Sequence, residues 1–143
     1  LQEFTTDGSA VREICLQFPA YHAVPLASNQ FAVSADSGHQ VHVVDAGGQT
    51  VRSYGSGTAG SGVGQLNCPT MLAVAADNTV LVMDCYNNRL VVIGASVTTA
   101  SEVNHNVPGK GLQGPCCIEL DMSRGRLYVG EWGANKAVHV FRI

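Results

Sequence analysis

Residues 64–93 read GQLNCPTMLAVAADNTVLVMDCYNNRLVVI and contain three short apolar runs separated by polar breaks. The runs cover 71–75, 79–83 and 90–93, and they are rich in Val, Leu and other residues that favour a pleated sheet. Asp and Asn occupy the breaks, where they suit tight turns because their side chains bond nearby backbone N–H groups and tolerate positive φ. The stretch therefore predicts three consecutive antiparallel strands joined by two tight turns.

The same order of features occurs twice more in the chain. A proline followed by short apolar runs and polar turns is found at Pro19, at Pro69 and at Pro115. The spacings between these prolines are 50 and 46 residues. Repeats of about 40 to 50 residues with four short strands each are typical of β-propeller blades. The fold class predicted from the sequence is thus an all-β propeller built from four-stranded antiparallel blades.

The central repeat resembles the NHL repeat. The matching features are Pro69, the apolar residues 72–74, the turn at 77–78 and the triplet Asn88-Arg89-Leu90, which stands where that family has its name-giving residues. The other two repeats match more loosely, and the resemblance covers nearly the whole chain. It implies about three blades in this chain, which is half of the six-bladed ring usual in NHL proteins.

The repeat pattern predicts a single propeller segment over residues 1–143. Its parts are the outer strands of a preceding blade at 1–14, complete blades at 15–54 and 65–104, and a last blade without its outer strand at 112–143. Two arrangements would avoid open strand edges. The favoured one is that the chain is half of a larger propeller, because it starts inside a blade. The alternative is a homodimer in which each chain completes the last blade of the other and closes a six-bladed ring.

Composition restricts the partners. The chain has 143 residues, of which 45% are hydrophobic and 13% charged, with eight Lys plus Arg and a net charge of −3. This balance disfavours RNA, because phosphate binding needs clustered positive charge. No apolar stretch is long enough to span a membrane, so we expect no membrane contact.

The five cysteines are Cys15, Cys68, Cys85, Cys116 and Cys117. Their number is odd and no C-x-x-C pair occurs, so neither a disulfide framework nor a zinc ribbon is predicted. Cys68 and Cys116 adjoin the blade prolines, which suggests small buried side chains, and we expect free, buried thiols. Free thiols fit a reducing compartment, so a cytoplasmic location is expected.

Two long connections separate the predicted blades. The first contains Gly-Ser-Gly-Thr-Ala-Gly at 55–60, which matches the dinucleotide-binding pattern G-x-G-x-x-G by letter. No helix follows to present N–H groups to a phosphate, so an ordinary blade crossing is predicted instead. The loop 101–114 is expected to be the second crossing. Since no nucleophile elbow and no identifiable pair of catalytic acids occurs, we expect no enzyme activity and no cofactor.

The loops between second and third strands, together with the crossings, are expected to gather on one side of the blades and form a binding face. Tyr, Trp and Arg commonly supply binding energy at such surfaces. For Asp84, Asn88 and Arg89 a purely structural role in the turn is the competing interpretation. The predicted binding face consists of Tyr21, His22, Asp84, Tyr86, Asn87, Arg89, Glu131, Trp132, Asn135 and Lys136.

The closing residues 125–132 and 138–141 resemble the C-terminal end of tripartite-motif proteins that bear NHL propellers. This resemblance implies a non-enzymatic binding module for protein or RNA, as in the substrate-recognition part of a ubiquitin ligase whose RING domain lies elsewhere. The alternative is a fragment of an NHL-type lyase or lactonase with a metal on the axis, held by His22 and a carboxylate such as Asp84 or Glu131. A basic patch around Arg52, Arg89 and Lys136 would favour RNA.

Overall fold

The computed structural model describes residues 1–95, 100–103, 111–132 and 136–142. Within these residues no α-helix occurs, and the strands are connected by turns and by two short 3-10 turns, Ala27–Asn29 and Cys85–Asn87. The strands are β1 (Gln2–Phe4), β2 (Ala10–Glu13), β3 (His22–Leu26), β4 (Gln30–Ala35), β5 (Gln40–Val44), β6 (Thr50–Tyr54), β7 (Pro69–Val74), β8 (Val80–Asp84), β9 (Arg89–Ile93), β10 (Ala100–Val103), β11 (Pro115–Asp121), β12 (Arg126–Glu131) and β13 (Val138–Arg142).

The strands form four antiparallel sheets, and each strand pairs with its neighbour in sequence. The sheets are β1-β2, β3-β4-β5-β6, β7-β8-β9-β10 and β11-β12-β13. The first strand of the middle sheet, β7, contacts both β3 and β11, so the first strands of three successive sheets lie side by side. Successive meander sheets with adjoining inner strands are the blades of a β-propeller. The chain is therefore all-β and forms part of such a propeller, as its sequence predicted.

Alternation along β8 shows how the sheets pack. Val80 and Val82 contribute to one apolar cluster, whereas Leu81 and Met83 contribute to the next one. Because successive side chains of a strand point to opposite faces, the middle sheet is covered by a neighbouring sheet on each face. The first cluster is Ala32, Val41, Val43, Leu66, Leu72, Val80, Val82, Val91 and Ile93. The second is Ala73, Leu81, Met83, Leu90, Leu112, Ile118, Leu127 and Val129.

The two ends of the sheets differ in their loops. At one end the β-turns are short and repeat one device, in which an Asp carboxylate accepts backbone N–H groups: Asp77 Oδ1 accepts from Thr79 at 2.9 Å, and Asp45 Oδ1 accepts from Gly47 at 2.9 Å. The opposite end holds the starts of β3, β7 and β11, the turns that follow β4, β8 and β12, and the crossings between sheets. We call this opposite end the loop face.

One predicted connection is shorter than expected. The loop predicted at 101–114 was wrong in its first residues, because Ala100–Val103 is a strand that pairs with β9, from Ala100 opposite Ile93 to Val103 opposite Leu90. Ser and Glu in this segment resemble a loop by composition, but the free edge of β9 supplies the pairing. Residues 104–110 of the same predicted loop lie outside the described residues. In the described part of the chain, no helix is long and apolar enough to cross a membrane.

Candidate binding site on the loop face

A cavity of about 350 Å³ opens on the loop face between three successive sheets. Its lining residues come from the start of β3, the turns after β4 and β8, the start of β7 and β11, and the end of β12. We call it the rim cleft. It is lined by Tyr21, Asp36, Cys68, Thr70, Cys85, Tyr86, Cys116 and Trp132.

Three aromatic side chains stand at the rim cleft, one from each of the three sheets. Their exposed fractions are 55% for Tyr21, 70% for Tyr86 and 79% for Trp132. Large aromatic groups normally lose most of their surface to packing in a folded domain. Three such groups exposed around one cavity form a surface that is prepared to bury apolar area against a ligand.

The backbones that carry these aromatic groups are held in place. Tyr21 N–H donates to the Ser34 carbonyl at 2.8 Å, and Tyr86 N–H donates to the Asn67 carbonyl at 3.1 Å. Trp132 N–H donates likewise to the Gly114 carbonyl at 3.1 Å. The side chains are therefore presented by ordered main chain, which reduces the conformational entropy that binding would cost.

Thr70 gives the rim cleft an unused polar group. The residue is only 8% exposed, and its Oγ1 has no hydrogen-bond partner among the described residues. Its backbone carbonyl is used, since Ser34 Oγ donates to it at 2.5 Å. Buried hydroxyl groups are normally hydrogen-bonded, so Thr70 Oγ1 is available to a group that enters the cavity.

The rim cleft carries negative charge. In the part of the lining that the structure describes, Asp36 is the one charged residue, and its carboxylate takes part in no ion pair with the described residues. Burial raises the pKa of Cys68, and the negative charge of Asp36 raises it further. Burial also raises the pKa of Cys85, again with a contribution from Asp84. These thiols remain protonated at neutral pH, and the carboxylates give the cavity a negative potential.

Asp84 lies beneath the loop face rather than on it. Its carboxylate is fully buried, with Oδ2 2.7 Å from Arg89 Nε and Oδ1 accepting from Asn67 N–H at 2.6 Å. Asn87 Nδ2 also donates to Oδ2 at 2.7 Å. A buried carboxylate is stable when it is paired and fully hydrogen-bonded, and Asp84 meets both conditions.

Arg89 uses its guanidinium group to hold the first crossing. Nη1 donates to the Ser61 carbonyl and Nη2 to the Gln65 carbonyl, each at 2.9 Å, while Nε pairs with Asp84. The crossing is tightly folded there, since a Cβ at Gly60 would lie 2.3 Å from Gln65 Oε1. Both Arg89 and Asp84 thus fasten two sheets together, which leaves little of either side chain for an external ligand.

Glu131 occupies the corresponding position in the last sheet. Oε1 accepts from Gln113 N–H at 2.6 Å, as Asp84 accepts from Asn67, and both N–H groups lie two residues before a blade proline. Glu131 Oε2 lies 3.1 Å from His139 Nε2. Burial raises the pKa of Glu131, but the Gln113 N–H and His139 outweigh it, so that the pKa is lowered. Glu131 is buried and serves the same fastening role.

His22 lies on β3 and lines a second cavity of about 480 Å³ between the inner strands. Its Nδ1 accepts from Leu72 N–H at 3.2 Å, which ties the first sheet to the middle one. His39 does the same at the loop face, where its Nδ1 accepts from Cys68 N–H at 3.1 Å. Across the part of the chain that the structure describes, no three His, Cys, Asp or Glu residues are grouped so that they could hold a metal ion.

The ten residues predicted for the binding face therefore fall into distinct groups. Tyr21, Tyr86 and Trp132 meet at the rim cleft, and Lys136 is exposed on the loop that follows Trp132 without lining the cavity. Asp84, Arg89 and Glu131 are buried, and His22 faces the inner cavity. Asn87 is half-buried and bonded to Asp84 and to the Gly60 carbonyl. Asn135 lies outside the described residues.

Sequence reasoning did not assign Asp36, Thr70 or the three cysteines of the lining to this site. The cysteines carried a usable signal, because Cys68 and Cys116 adjoin Pro69 and Pro115, where β7 and β11 begin on the loop face. The expectation of buried thiols was wrong. All five cysteines are free, and each is exposed or half-buried. Cys68 and Cys116, next to the prolines, border the cavity instead of the core.

No protein-family model matches the sequence, and no curated protein matches it. Among solved structures, the chain is similar to a protein of unknown function from Bacteroides caccae, at 14% identity and a TM-score of 0.76 over 99% of this chain and 54% of that chain. It is similar to virginiamycin B lyase from Staphylococcus aureus, at 17% identity and a TM-score of 0.62 over 99% and 48%. Hydrazine synthase from Kuenenia stuttgartiensis gives 19% identity and a TM-score of 0.67 over 92% and 35%.

These likenesses show the fold alone, because every identity is low. They agree with the partial propeller described above, and the chain spans about half the length of the Bacteroides caccae protein and of the lyase. The functions of those proteins, where they are named, differ from one another. The site on this chain must therefore be judged from its own residues.

Proposed function

We propose that this chain is a non-enzymatic binding module whose loop face recognises a protein partner. The observation that carries the proposal is the set of three exposed aromatic groups, Tyr21, Tyr86 and Trp132, which surround the rim cleft on hydrogen-bonded main chain. Tyr and Trp are the residues most often found at the energetic centres of protein interfaces, because each combines a large contact area with a hydrogen-bonding group.

The scaffold is proposed to be of NHL type, comparable to the substrate-recognition part of a tripartite-motif ubiquitin ligase. Support comes from the triplet Asn88-Arg89-Leu90, for which the structure gives a physical reason. Arg89 pairs with Asp84 and bonds the crossing, Leu90 is buried between sheets, and Asn88 adopts a positive φ of 52° while its Oδ1 accepts from Gly114 N–H at 2.8 Å. The triplet thus joins its own sheet to both neighbours.

A protein partner is favoured over RNA by the charges. Arg89 is buried and engaged within the chain, and Arg52 donates to Gln30 Oε1 at 3.3 Å. Among the described residues, the rim cleft itself is lined by one carboxylate and by no Lys or Arg. An anionic cleft repels phosphate groups, so the described lining does not supply the basic patch that RNA recognition requires.

The test is a selection of binding peptides from a random phage-displayed library on the immobilised chain, followed by affinity measurement with fluorescein-labelled copies. We expect Tyr86→Ala and Trp132→Ala each to weaken binding by tenfold or more. The matched control is Met122→Ala, which removes an exposed side chain at the opposite end of the sheets. Failure to select any peptide, or equal losses in the control, would overturn the proposal. Binding of a random RNA 20-mer that competes with the peptides would replace protein by RNA.

A second candidate is a fragment of a propeller enzyme, a lyase or lactonase with a metal on the axis. The observation in favour of a metal site is that His22 and Glu119 line the inner cavity. Imidazole and carboxylate are common metal ligands. Binding of Zn²⁺ or Mn²⁺ measured by calorimetry, and its loss in His22→Asn, would support this candidate. Absence of saturable binding would remove it.

A further inference from the structure

The described lining of the rim cleft is negatively charged, so it would attract a cation. Its one charged lining group is Asp36, whose carboxylate lacks an ion-pair partner within the described residues. The nearby thiols are neutral, and the buried Asp84 beneath them adds negative potential even though it is paired with Arg89. Lys136 lies on the same face but does not line the cavity. A positively charged group would therefore find a complementary, uncompensated carboxylate here.

The aromatic groups of the same cavity favour a cation too. The faces of Trp and Tyr carry negative charge density, which attracts Lys, Arg and other cations that approach within about 6 Å of the ring centre. Tyr21, Tyr86 and Trp132 keep more than half of their surface exposed, so their rings are accessible. A planar guanidinium stacks on such rings better than an ammonium group, and it is also less strongly hydrated.

Thr70 adds a hydrogen-bonding requirement. Its Oγ1 is buried in the lining without a partner among the described residues, and it can accept a hydrogen bond. A guanidinium offers five N–H donors in one plane, so it can bond a carboxylate and a hydroxyl at the same time. A lysine ammonium is a point charge that cannot combine this bonding with stacking.

We propose that the rim cleft receives the side chain of an arginine from the protein partner, with Asp36 as its carboxylate, Thr70 Oγ1 as a further acceptor and the three aromatic groups around it. This inference rests on the proposed function, since it names the residue type that the loop face recognises. The site would discriminate in favour of arginine by charge, by planarity and by the number of donors.

Trp132 allows a direct test, because it is the one tryptophan of the chain and stands at the cavity. The probe is the pentapeptide acetyl-Gly-Gly-Arg-Gly-Gly-amide, titrated while tryptophan fluorescence is recorded. We expect a saturable change, with affinity at least tenfold higher than for the same peptide containing citrulline, the uncharged analogue of arginine. The lysine peptide should bind with intermediate affinity. Equal affinities for the arginine and citrulline peptides, or no saturable change, would overturn the inference.

Variants of the chain sharpen the result. Asp36→Asn should lower the affinity for the arginine peptide about tenfold and leave the citrulline peptide unaffected, whereas Asp121→Asn at the opposite end of the sheets should change neither. Thr70→Val should weaken binding about threefold. The citrulline comparison requires no variant, so it stands even if a substitution impairs folding. If library-selected peptides depend on Trp132 but tolerate citrulline, the arginine inference fails while the proposed function holds.

Discussion

The middle and last sheets are built from the same repeat but differ in their surroundings. All five residues of β8 in the middle sheet are buried, whereas β13 of the last sheet alternates between half-buried and exposed positions. Val138 and Val140 are 69% and 53% exposed, although valines at comparable positions of β9 are buried or half-buried. In a repeat protein each unit is stabilised largely by its neighbours. The comparison shows that burial here is decided by position in the array rather than by the strand's own sequence.

The middle and last sheets also differ in the ion pairs at their loop-face ends. In the middle sheet a buried acid, Asp84, pairs with an arginine that is always charged. In the last sheet the equivalent acid, Glu131, contacts a histidine instead. The buried acid that holds each crossing is therefore the same in kind in both sheets, but its side-chain partner is a guanidinium in one and an imidazole in the other.

The largest expected effect comes from breaking the fastening of the middle sheet. Arg89→Ala leaves the Asp84 carboxylate buried without its ion-pair partner, and loss of one partner of a buried pair costs about 3–5 kcal/mol. We expect a decrease of that size in the free energy of unfolding, measured by urea denaturation. The control Arg124→Ala removes an exposed pair with Asp121 and should leave the unfolding midpoint unchanged. Equal effects would contradict the structural role of Arg89.

The difference in packing predicts the next effect. Met83 is fully buried between the middle and last sheets, so Met83→Ala should lower the free energy of unfolding by about 2–5 kcal/mol. Val140→Ala on the last sheet removes an exposed side chain and should change it by less than about 0.5 kcal/mol. If the two substitutions had similar costs in the same denaturation experiment, the last sheet would be covered by another surface in solution.

Acidification should destabilise the first sheet, in which His42 contacts Ser53, and the contact of His22 with the middle sheet. Burial lowers the pKa values of His22 and His42 below the ordinary histidine value of 6.5, so the folded state resists their protonation. Their contribution to stability is complete above pH 6.5 and is lost as the pH falls below it. We expect the melting temperature to decrease between pH 7 and pH 5.

His22→Asn should reduce this dependence, because an amide oxygen can still accept from Leu72 N–H but does not titrate. The pKa of Asp121 is lowered to about 2, chiefly by hydrogen bonds from Ser123 and Arg124. Its contribution is present above its ordinary pKa and is lost as the pH falls toward 2, so Asp121→Asn should leave the slope between pH 7 and pH 5 unchanged. An unaltered slope in His22→Asn would exclude the histidine as its source.

The smallest effect on stability is expected from changing the exposed face of the last sheet. We favour the interpretation that the chain is half of a larger propeller, so light scattering across a dilution series should give the monomer mass at low concentration. Val140→Glu should then alter neither mass nor unfolding. A stable dimer that Val140→Glu dissociates would instead support a ring closed by two chains, with the contact on the last sheet.

The strands were largely predictable from the sequence because their signals are local. The apolar run 79–83 and the Asp and Asn turns correspond to β8 and its neighbours. The complete blade predicted at 65–104 required a fourth strand, but most of Ala100–Val103 was assigned to the loop 101–114, because its pairing depends on the open edge of β9, which composition does not show. The fold was thus predictable where propensity and pattern agreed, and less so where a neighbouring strand decided.

The candidate site was predictable in part. Tyr86 and Trp132 were identified because they follow second strands in turns that share one end of the sheets. Asp36 follows the second strand β4 in the same way, but it was not singled out because an Asp in a turn is ordinarily structural; Thr70 was not found because its place in the cavity depends on how the sheets pack. For Arg89 and Asp84, the sequence could not decide whether the side chains are exposed to a ligand or bond the first crossing. Both roles favour the same residue types at a turn.

The first crossing has a consequence for biosynthesis. It is held by Asn87 and Arg89, which a ribosome adds more than about twenty residues after Gly60 and Ser61. A chain leaves the ribosome with its N-terminal part first, so the first sheet is synthesised before the side chains that hold the crossing after it. The crossing makes hydrogen bonds of its own, such as that from Gly60 N–H to the Leu66 carbonyl, but its bonds to the middle sheet can form only after Asn87 and Arg89 have been added.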